Sequence, residues 1–523
     1  MDGIWKEKRG FLTAPGLCGL VLLLAILQYS SMQLLNNPLL EGVQCLLVVT
    51  SLGCVLSRNL VVAVSFLLIS LSFGLIALIV DRQELWSWRF LQYFLVHIVW
   101  LFVVAFWLGR IHGQYMVAIF RFAVFSFFVW LILGGASVLD RYHQDVLFLQ
   151  VLIILLATMV FKRSLIPAGL FLVWLAAIVA VQLVSGHLVE ADGAVSPSYW
   201  RGFELVGHML FAACLFVWFI EDSEAVRWIF SALVLAVFIY LSVVSVLWEG
   251  LADPAAYNWF HFPPLFHHIR HLGYLLCMAV VFFAWAVLAW QGKIRLLAWS
   301  AYVAAFGLLL WSGGRGSFIA VMAGVGYLLL VGRRGYSLKM AVCLFIGFLI
   351  ALFLSALFPV DDPGMGWLSA IARSEAAESI NNLSTGRLDI WRELSGRLLE
   401  RPWFGWGGDA VRQLMPGRGI VQAHNGILQI GIEWGVVGLL VIGGGMLFLL
   451  GRFPVPLNGQ CSIGERLLGG VLAVSLFVLS MMDGVLFHAL PLVFLAMSYA
   501  LLAARAPSRF EERNELPGKC GEC

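Results

Sequence analysis

Apolar residues run in blocks of about 17–25 along most of this chain, the length that carries a helix across the hydrocarbon core of a bilayer. Such blocks lie near 11–31, 39–56, 60–80, 90–109, 115–136, 145–161, 164–184, 203–220, 227–248, 272–290, 295–312, 317–332, 338–358, 430–450, 467–483 and 486–504. One long polar interruption, residues 361–429, stands before the last three. The pattern predicts an all-α polytopic membrane protein of about 12–16 transmembrane helices, with one large loop before the last three.

Charge falls in the breaks between blocks, and unevenly. With the N-terminus inside, alternate loops hold Lys6, Lys8, Arg9, Arg58, Arg110, Lys162, Arg163, Arg227, Lys293, Arg295, Arg333, Arg334, Lys339, Arg452 and Arg466, and the tail adds Arg505, Arg509, Arg513 and Lys519. The short loops of the other side hold Arg82, Arg89, Arg141, Arg201, Arg270 and Arg315. This positive-inside asymmetry puts both termini in the cytoplasm and the long loop outside. Met1 to Arg9 is basic and precedes an apolar run without a small-residue cleavage site, which reads as an uncleaved first span. Arg121 falls inside a predicted span, about two turns from its cytoplasmic end, where its head can snorkel to the interface.

Composition narrows the class. Apolar residues make up 61% of the 523, charged residues 12%, and mean hydropathy is +0.93; soluble chains carry about 25% charged residues. The basic residues form short caps at helix ends rather than a continuous stripe, which argues against a nucleic-acid partner. Cys18, Cys45, Cys54, Cys214, Cys277 and Cys343 fall in apolar stretches and read as small hydrophobes. The tail pair Cys520 and Cys523 lacks the four ligands of a structural zinc site. His261, His267, His268 and His271, in the loop 249–271 with Arg270, follow no helical ligand spacing and have no carboxylate beside them, so no metal is expected.

The long loop holds Arg373, Arg387, Arg392, Arg397, Arg401, Arg412 and Arg418. Leu388, Trp391, Leu394 and Leu398 recur at helical spacing, Ser384 or Thr385 can cap the start, and Pro402 marks the stop. The expected element is an amphipathic helix on the outer membrane surface, with Glu393 and Arg397 at i, i+4. Arg392, Arg397 and Arg401 read as solvated or paired with local acids. Arg387 lies in the first turn, where a phosphate would meet both its charge and the helix dipole. The glycines among Trp403, Phe404 and Trp406 predict a tight turn bearing flat apolar plates, which can pack on lipid or stack on sugar faces, packing being the expected role. His424 is expected at the outer lip of the span that follows, with Asn425 and Gln429 as supporting amides and a ring suited to general-base work. A second constellation, Ser312-Gly313-Gly314-Arg315-Gly316-Ser317, joins two spans; its glycines allow close backbone approach, and Arg315 there calls for an anion.

Ser312-Gly-Gly-Arg315-Gly-Ser, Ser384-Thr-Gly-Arg387-Leu-Asp-Ile-Trp, Arg401-Pro-Trp-Phe-Gly-Trp-Gly, Ala423-His424-Asn-Gly-Ile-Leu-Gln and Glu433-Trp-Gly-Val-Val-Gly together resemble the bacterial O-antigen ligase superfamily over about 295–480. That group holds lipopolysaccharide O-antigen ligases, repeat-unit polymerases and protein O-oligosaccharyltransferases. The resemblance implies three parts: N-terminal transmembrane helices 1–294, a ligase-like membrane core 295–504 with its periplasmic loop 359–429, and a cytoplasmic tail 505–523. It implies a multi-pass protein of the bacterial inner membrane that moves a glycan from an undecaprenyl-pyrophosphate carrier to an acceptor hydroxyl, without cofactor or metal. His424 takes the place of the catalytic histidine; Arg315 and Arg387, with Arg270 as a further contact, take the pyrophosphate. The chain departs from the ligases in having more predicted spans than their usual dozen. Lipid A-core, a second lipid-linked unit and a pilin hydroxyl remain open as acceptors. A transporter of the same lipid-linked glycans is the reading from another class; it would place paired charges deep within spans, whereas the sequence gathers its ionisable residues in outer loops.

Overall fold

The computed structural model describes residues 113–133, 139–161, 169–193, 195–333, 335–452 and 464–504. The four blocks predicted before residue 110, and the tail 505–523 with its cysteine pair, lie outside the described residues. The chain divides into two compact units, 1–120 and 121–523.

Every regular element among the described residues is helical. In chain order they are α1 Gly113–Leu133, α2 Leu139–Val160, α3 Gly169–Asp192, α4 Trp200–Glu221, α5 Ala225–Gly250, α6 Ile269–Ala289, α7 Lys293–Trp311, α8 Arg315–Val331 and α9 Leu338–Ser355. The long loop then contributes α10 Trp367–Glu375, α11 Ile380–Leu383, α12 Arg387–Glu400 and α13 Ala410–Leu414. After it come α14 Gly426–Gly438, a π-helical turn Leu439–Gly443, α15 Gly444–Arg452, α16 Glu465–Ser480 and α17 Ala489–Ala504. Seven helices among the described residues are long and apolar enough to cross a membrane, and four shorter apolar helices accompany them. The chain is an all-α polytopic membrane protein.

Helix α6 is apolar all round and therefore buried all round, with α7, α8, α16 and α17 packed about it. Helix α9 is equally apolar but leaves Phe345, Ile346, Leu349 and Phe353 uncovered, the pattern of a helix facing lipid. Arg121 does not snorkel. Its guanidinium reaches Asp222 with both Nε and Nη2 at 2.7 Å, a bidentate pair that satisfies the charge within the protein.

The amphipathic helix of the loop forms as expected, but its apolar face turns into the protein rather than onto the membrane. Ile390 and Leu394 are buried against Val189, Trp406, Val411 and Ile432, with Trp391 and Leu398 packed on the same cluster. The ends of α3 and α14 offer apolar surface there, so the stripe is covered by protein. The cap differs too: Gly386, in the left-handed region, precedes Arg387, and Ser384 Oγ donates to Asn381 O instead. Arg392 and Arg397 pair with Asp389 and Glu400 three residues away, and Arg401 with Asp192; Glu393 pairs with Arg418 rather than Arg397.

The aromatic–glycine segment that follows lays its backbone against α14. Trp406 N–H donates to Ile432 O at 2.8 Å, Gly407 N–H to Glu433 O at 2.9 Å and Val436 N–H to Pro402 O at 2.8 Å. Helix α14 is open to this because it breaks at Gly435, where φ is +65°. A Cβ at Gly435 would stand 2.3 Å from the carbonyl carbon of Trp403, and one at Gly405 2.5 Å from Ile432 O. The glycines serve that docking, and Trp406 is a packing plate, its indole donating to Arg397 O. In the turn between α7 and α8, Gly313 (φ +66°) admits backbone of this chain rather than a ligand: a Cβ there would lie 2.7 Å from Gly364 O.

Candidate active site

His424 stands immediately before α14, in a left-handed conformation (φ +51°) that strains a residue with a Cβ by about 1–3 kcal/mol. Asn425 caps the helix, its side-chain oxygen accepting from Leu428 N–H at 3.0 Å. Gln429 is also committed, accepting from Ala423 N–H at 2.7 Å and donating to Glu433 at 2.9 Å. The two amides shape the backbone on either side of the ring. The ring's own partner is Asp483, whose Oδ1 lies 3.0 Å from Nδ1.

Asp483 sits in the loop between α16 and α17. Oδ1 also accepts from Gly484 N–H at 2.9 Å and from Gln422 Nε2 at 3.3 Å, while Oδ2 faces Arg387 Nη2 at 3.8 Å. His424 and Arg387 therefore meet on the two oxygens of one carboxylate. Arg270, Arg315 and Arg387 lie in the first turns of α6, α8 and α12, so three helix N-termini bring guanidinium groups to one region. Their charges are close enough to act on one another: Arg270 and Arg315 both bear on Arg387. The structure thus brings together His424, Arg270, Arg315 and Arg387.

Burial pulls the Arg387 guanidinium below its ordinary value, Asp483 works against that, and the neighbouring arginines add to it. Burial would raise the Asp483 carboxyl, but the hydrogen bond with His424 and the charges of His424, Arg387 and Arg270 outweigh it and hold the group well below the carboxylate range. An anionic ligand would relieve the surplus of positive charge. His268, the N-cap of α6, accepts from Arg270 N–H through Nδ1 at 3.1 Å, and burial together with the Arg270 charge lowers it to about 4. The unfolded chain then binds the proton first, so stability falls as pH drops from 6.5 towards 4. We expect the melting temperature in detergent to fall across that window, and His268→Asn, which keeps a capping acceptor, to flatten the fall. An unchanged slope in the variant would remove His268 as its source.

A second polar cluster adjoins the first. Arg201 and Glu204 on α4 and Glu433 on α14 are all buried. Arg201 pairs with Glu204, lies 3.6 Å from Glu433, and donates to the carbonyls of Phe487 at 3.1 Å and Leu486 at 3.0 Å. Glu204 also meets His143 of α2 at 2.8 Å. This corrects the expectation that ionisable residues keep to the outer loops: α4 is long and apolar enough to span a membrane, and it carries a buried ion network near one end. The charges are tolerated because they neutralise one another and hold the loop that bears Asp483.

Sequence reasoning missed Asp483, placed at the tail of a predicted apolar block. Its signal was there: among 467–504 it is the one acidic side chain in an otherwise apolar stretch, and such groups face protein partners. No cluster of three or more His, Cys, Asp or Glu among the described residues could hold a metal, and the histidines of 261–271 do not form one.

Residues 300–443 match the family model of O-antigen ligase. No curated protein matches the chain. Arg315, Arg387 and His424 fall inside the matched segment, whereas Arg270 and Asp483 lie on either side of it. The helical membrane architecture agrees with that family, whose members are glycosyltransferase-like membrane enzymes. Residues 300–443 of the chain thus carry a segment similar to the O-antigen ligase family.

Proposed function

We propose that the protein takes a glycan from an undecaprenyl-pyrophosphate carrier and ligates it to a hydroxyl of lipid A-core on the periplasmic side of the bacterial inner membrane. In this reading both termini are cytoplasmic and the loop 359–429 is periplasmic. The observation that carries it is the meeting of His424 and Arg387 on Asp483, with Arg315 and Arg270 close by. A base and a cationic cradle stand side by side, which is what transfer from a diphosphate leaving group needs.

With Asp483 accepting from Nδ1–H, His424 presents Nε2 as the proton acceptor. Nε2 takes the acceptor's hydroxyl proton as that oxygen bonds to the anomeric carbon. The bond from the anomeric carbon to the phosphate oxygen breaks, and its electron pair stays on the pyrophosphate. Arg387, Arg315 and Arg270 stabilise the growing charge through hydrogen bonds to phosphate oxygens. Attack opposite the leaving group inverts the anomeric centre.

The test offers a lipid-linked donor to the purified protein in liposomes with three acceptors: lipid A-core, a second lipid-linked unit and a hydroxyl-bearing pilin peptide. Glycan on lipid A-core is expected. Glycan on the second unit or on the peptide would replace ligation with polymerisation or protein glycosylation. Donor crossing the bilayer with no transfer would overturn the enzymatic reading in favour of transport. In the same assay Arg387→Gln should weaken use of the donor by about ten- to a hundredfold, the worth of one charge-assisted hydrogen bond.

A further inference from the structure

The polar contacts of His424 do not end at Asp483. Gln422, two residues before His424, is buried, and its amide lies over Gly484, where a Cβ would fall on Oε1. Its Nε2 stands 3.3 Å from Asp483 Oδ1 and 2.8 Å from Nε2 of His488. An ionised carboxylate only accepts, so the amide turns its NH₂ group to Asp483. The same nitrogen has a second proton, which makes His488 Nε2 the acceptor of the short contact. The directions then agree along the whole row: His424 Nδ1–H and Gln422 both donate to Asp483, and Gln422 also donates to His488.

The His488 ring is fixed from other directions. Its backbone N–H donates to Gly484 O at 3.0 Å, just before α17. The rings of His271 and Tyr274 on α6 stand 4.7 and 5.3 Å from it, and that of His143 on α2 stands 5.8 Å away. Its Nδ1 is buried and has no hydrogen-bond partner among the described residues. An unpaired polar atom in such a place costs about 1–3 kcal/mol. A phenylalanine would pack there without that cost, so packing alone does not account for a histidine. The Gln422 contact is the ring's one hydrogen bond among the described residues.

We infer that His488 is a positioning residue for the transfer. Through Gln422 it holds Asp483 with Oδ1 towards His424 Nδ1–H, which leaves His424 Nε2 bare for the acceptor's proton. This rests on the proposed role of His424 as base and goes beyond it in giving work to Gln422 and His488, which stand behind the carboxylate. Without an acceptor at His488, the amide is free to turn its carbonyl towards Asp483 and push the carboxylate off the ring.

The experiment uses the full chain in liposomes. His488→Phe keeps the packing and removes the acceptor, whereas His488→Gln puts an amide oxygen near the place of Nε2. His488→Phe should lower kcat by about three- to tenfold, the worth of one hydrogen bond, with the donor KM nearly unchanged. His488→Gln should recover most of that loss. Gln422→Met should be at least as slow, and adding His488→Phe to it should cost nothing more. Solid-state ¹⁵N spectra of ring-labelled histidine report the tautomer of His424, whose signals are those lost in His424→Ala. Nδ1–H is expected in the wild type and in His488→Gln, and a mixture of tautomers in His488→Phe. A wild-type kcat or an unmixed tautomer in His488→Phe would overturn the inference. So would a loss that His488→Gln does not recover while both variants melt lower. If His488→Phe does not fold, Gln422→Met carries the same expectations for rate and tautomer. The spectra need no turnover. A protein inactive on every acceptor, but with the tautomer shift, would sink the proposed transfer and leave the link from His488 to His424 standing.

Discussion

His424→Ala is expected to reduce glycan transfer by about 10²–10⁴-fold, the usual contribution of a positioned general base, while donor affinity changes little. The ring's hydrogen bond is to Asp483, which keeps Gly484 N–H, Gln422 and Arg387 as partners when the ring is gone. The helix start is capped by Asn425, and the neighbouring backbone is held by Gln429. Removing the imidazole also relieves nothing in the backbone, because alanine inherits the strained φ of +51°. The fold is therefore expected to survive and the turnover to fail. Asp483→Asn should follow the same direction, because an amide can present its N–H to Nδ1 and stabilise the wrong tautomer. As the two residues act together, the double variant should be no slower than His424→Ala alone. Full additivity would mean that Asp483 serves something other than the ring. Asp483, held well below the usual carboxylate range, contributes stability that is fully present above its ordinary value of 3.8 and declines progressively as pH falls below that, while the folded group itself stays ionised. An acid limb in the rate profile above pH 4 therefore does not belong to Asp483. Transfer at the wild-type rate by His424→Ala would remove the imidazole from the chemistry.

Arg201→Leu is expected to destabilise the protein by about 3–5 kcal/mol, because it leaves Glu204 and Glu433 buried without their shared cation. The arginine is 3% exposed, and it also stacks over the Phe487 ring at 4.6 Å. Its donors to the Leu486 and Phe487 carbonyls tie α4 to the loop of Asp483. The loss should therefore show twice, as a lower melting temperature and as weaker transfer from a less ordered Asp483. Changing Glu204 and Glu433 to Gln in the same chain removes the stranded charges and should recover much of the melting temperature. Transfer should recover less, since the tie to the loop remains cut. Equal recovery of both would show that Arg201 acts through stability alone.

Much of this protein is written locally. Apolar runs such as 272–290 and 338–358 fall within a few residues of α6 and α9, because a membrane helix must satisfy its backbone within one stretch and so declares its length in sequence. Arg315 and Arg387 stand in the first turns of their helices, and the glycines before them mark those starts without any knowledge of the fold. The turn chemistry was less legible: Gly313 and Gly405 announce a close approach, but residues far along the chain decide whether a ligand or another backbone fills it.

Periodicity also shows that a helix over 388–398 has an apolar face without showing what covers it. Protein covers it, because α3 and α14 bring Val189 and Ile432 to that place, whereas α10, with less apolar surface, keeps its face outward. The partner of His424 was hidden for the same reason. Hydrogen bonds are made through space, and Asp483 reaches Nδ1 only because the chain just after α16 comes to the start of α14. Local sequence determined the spans, their charge bias and the arginines at helix starts, since each depends on neighbours within a turn or a bilayer's thickness. Tertiary packing alone decided that one carboxylate joins His424 to Arg387, and that Glu433 joins the Arg201–Glu204 pair of α4 in a buried site, since those side chains come from segments with no common local pattern.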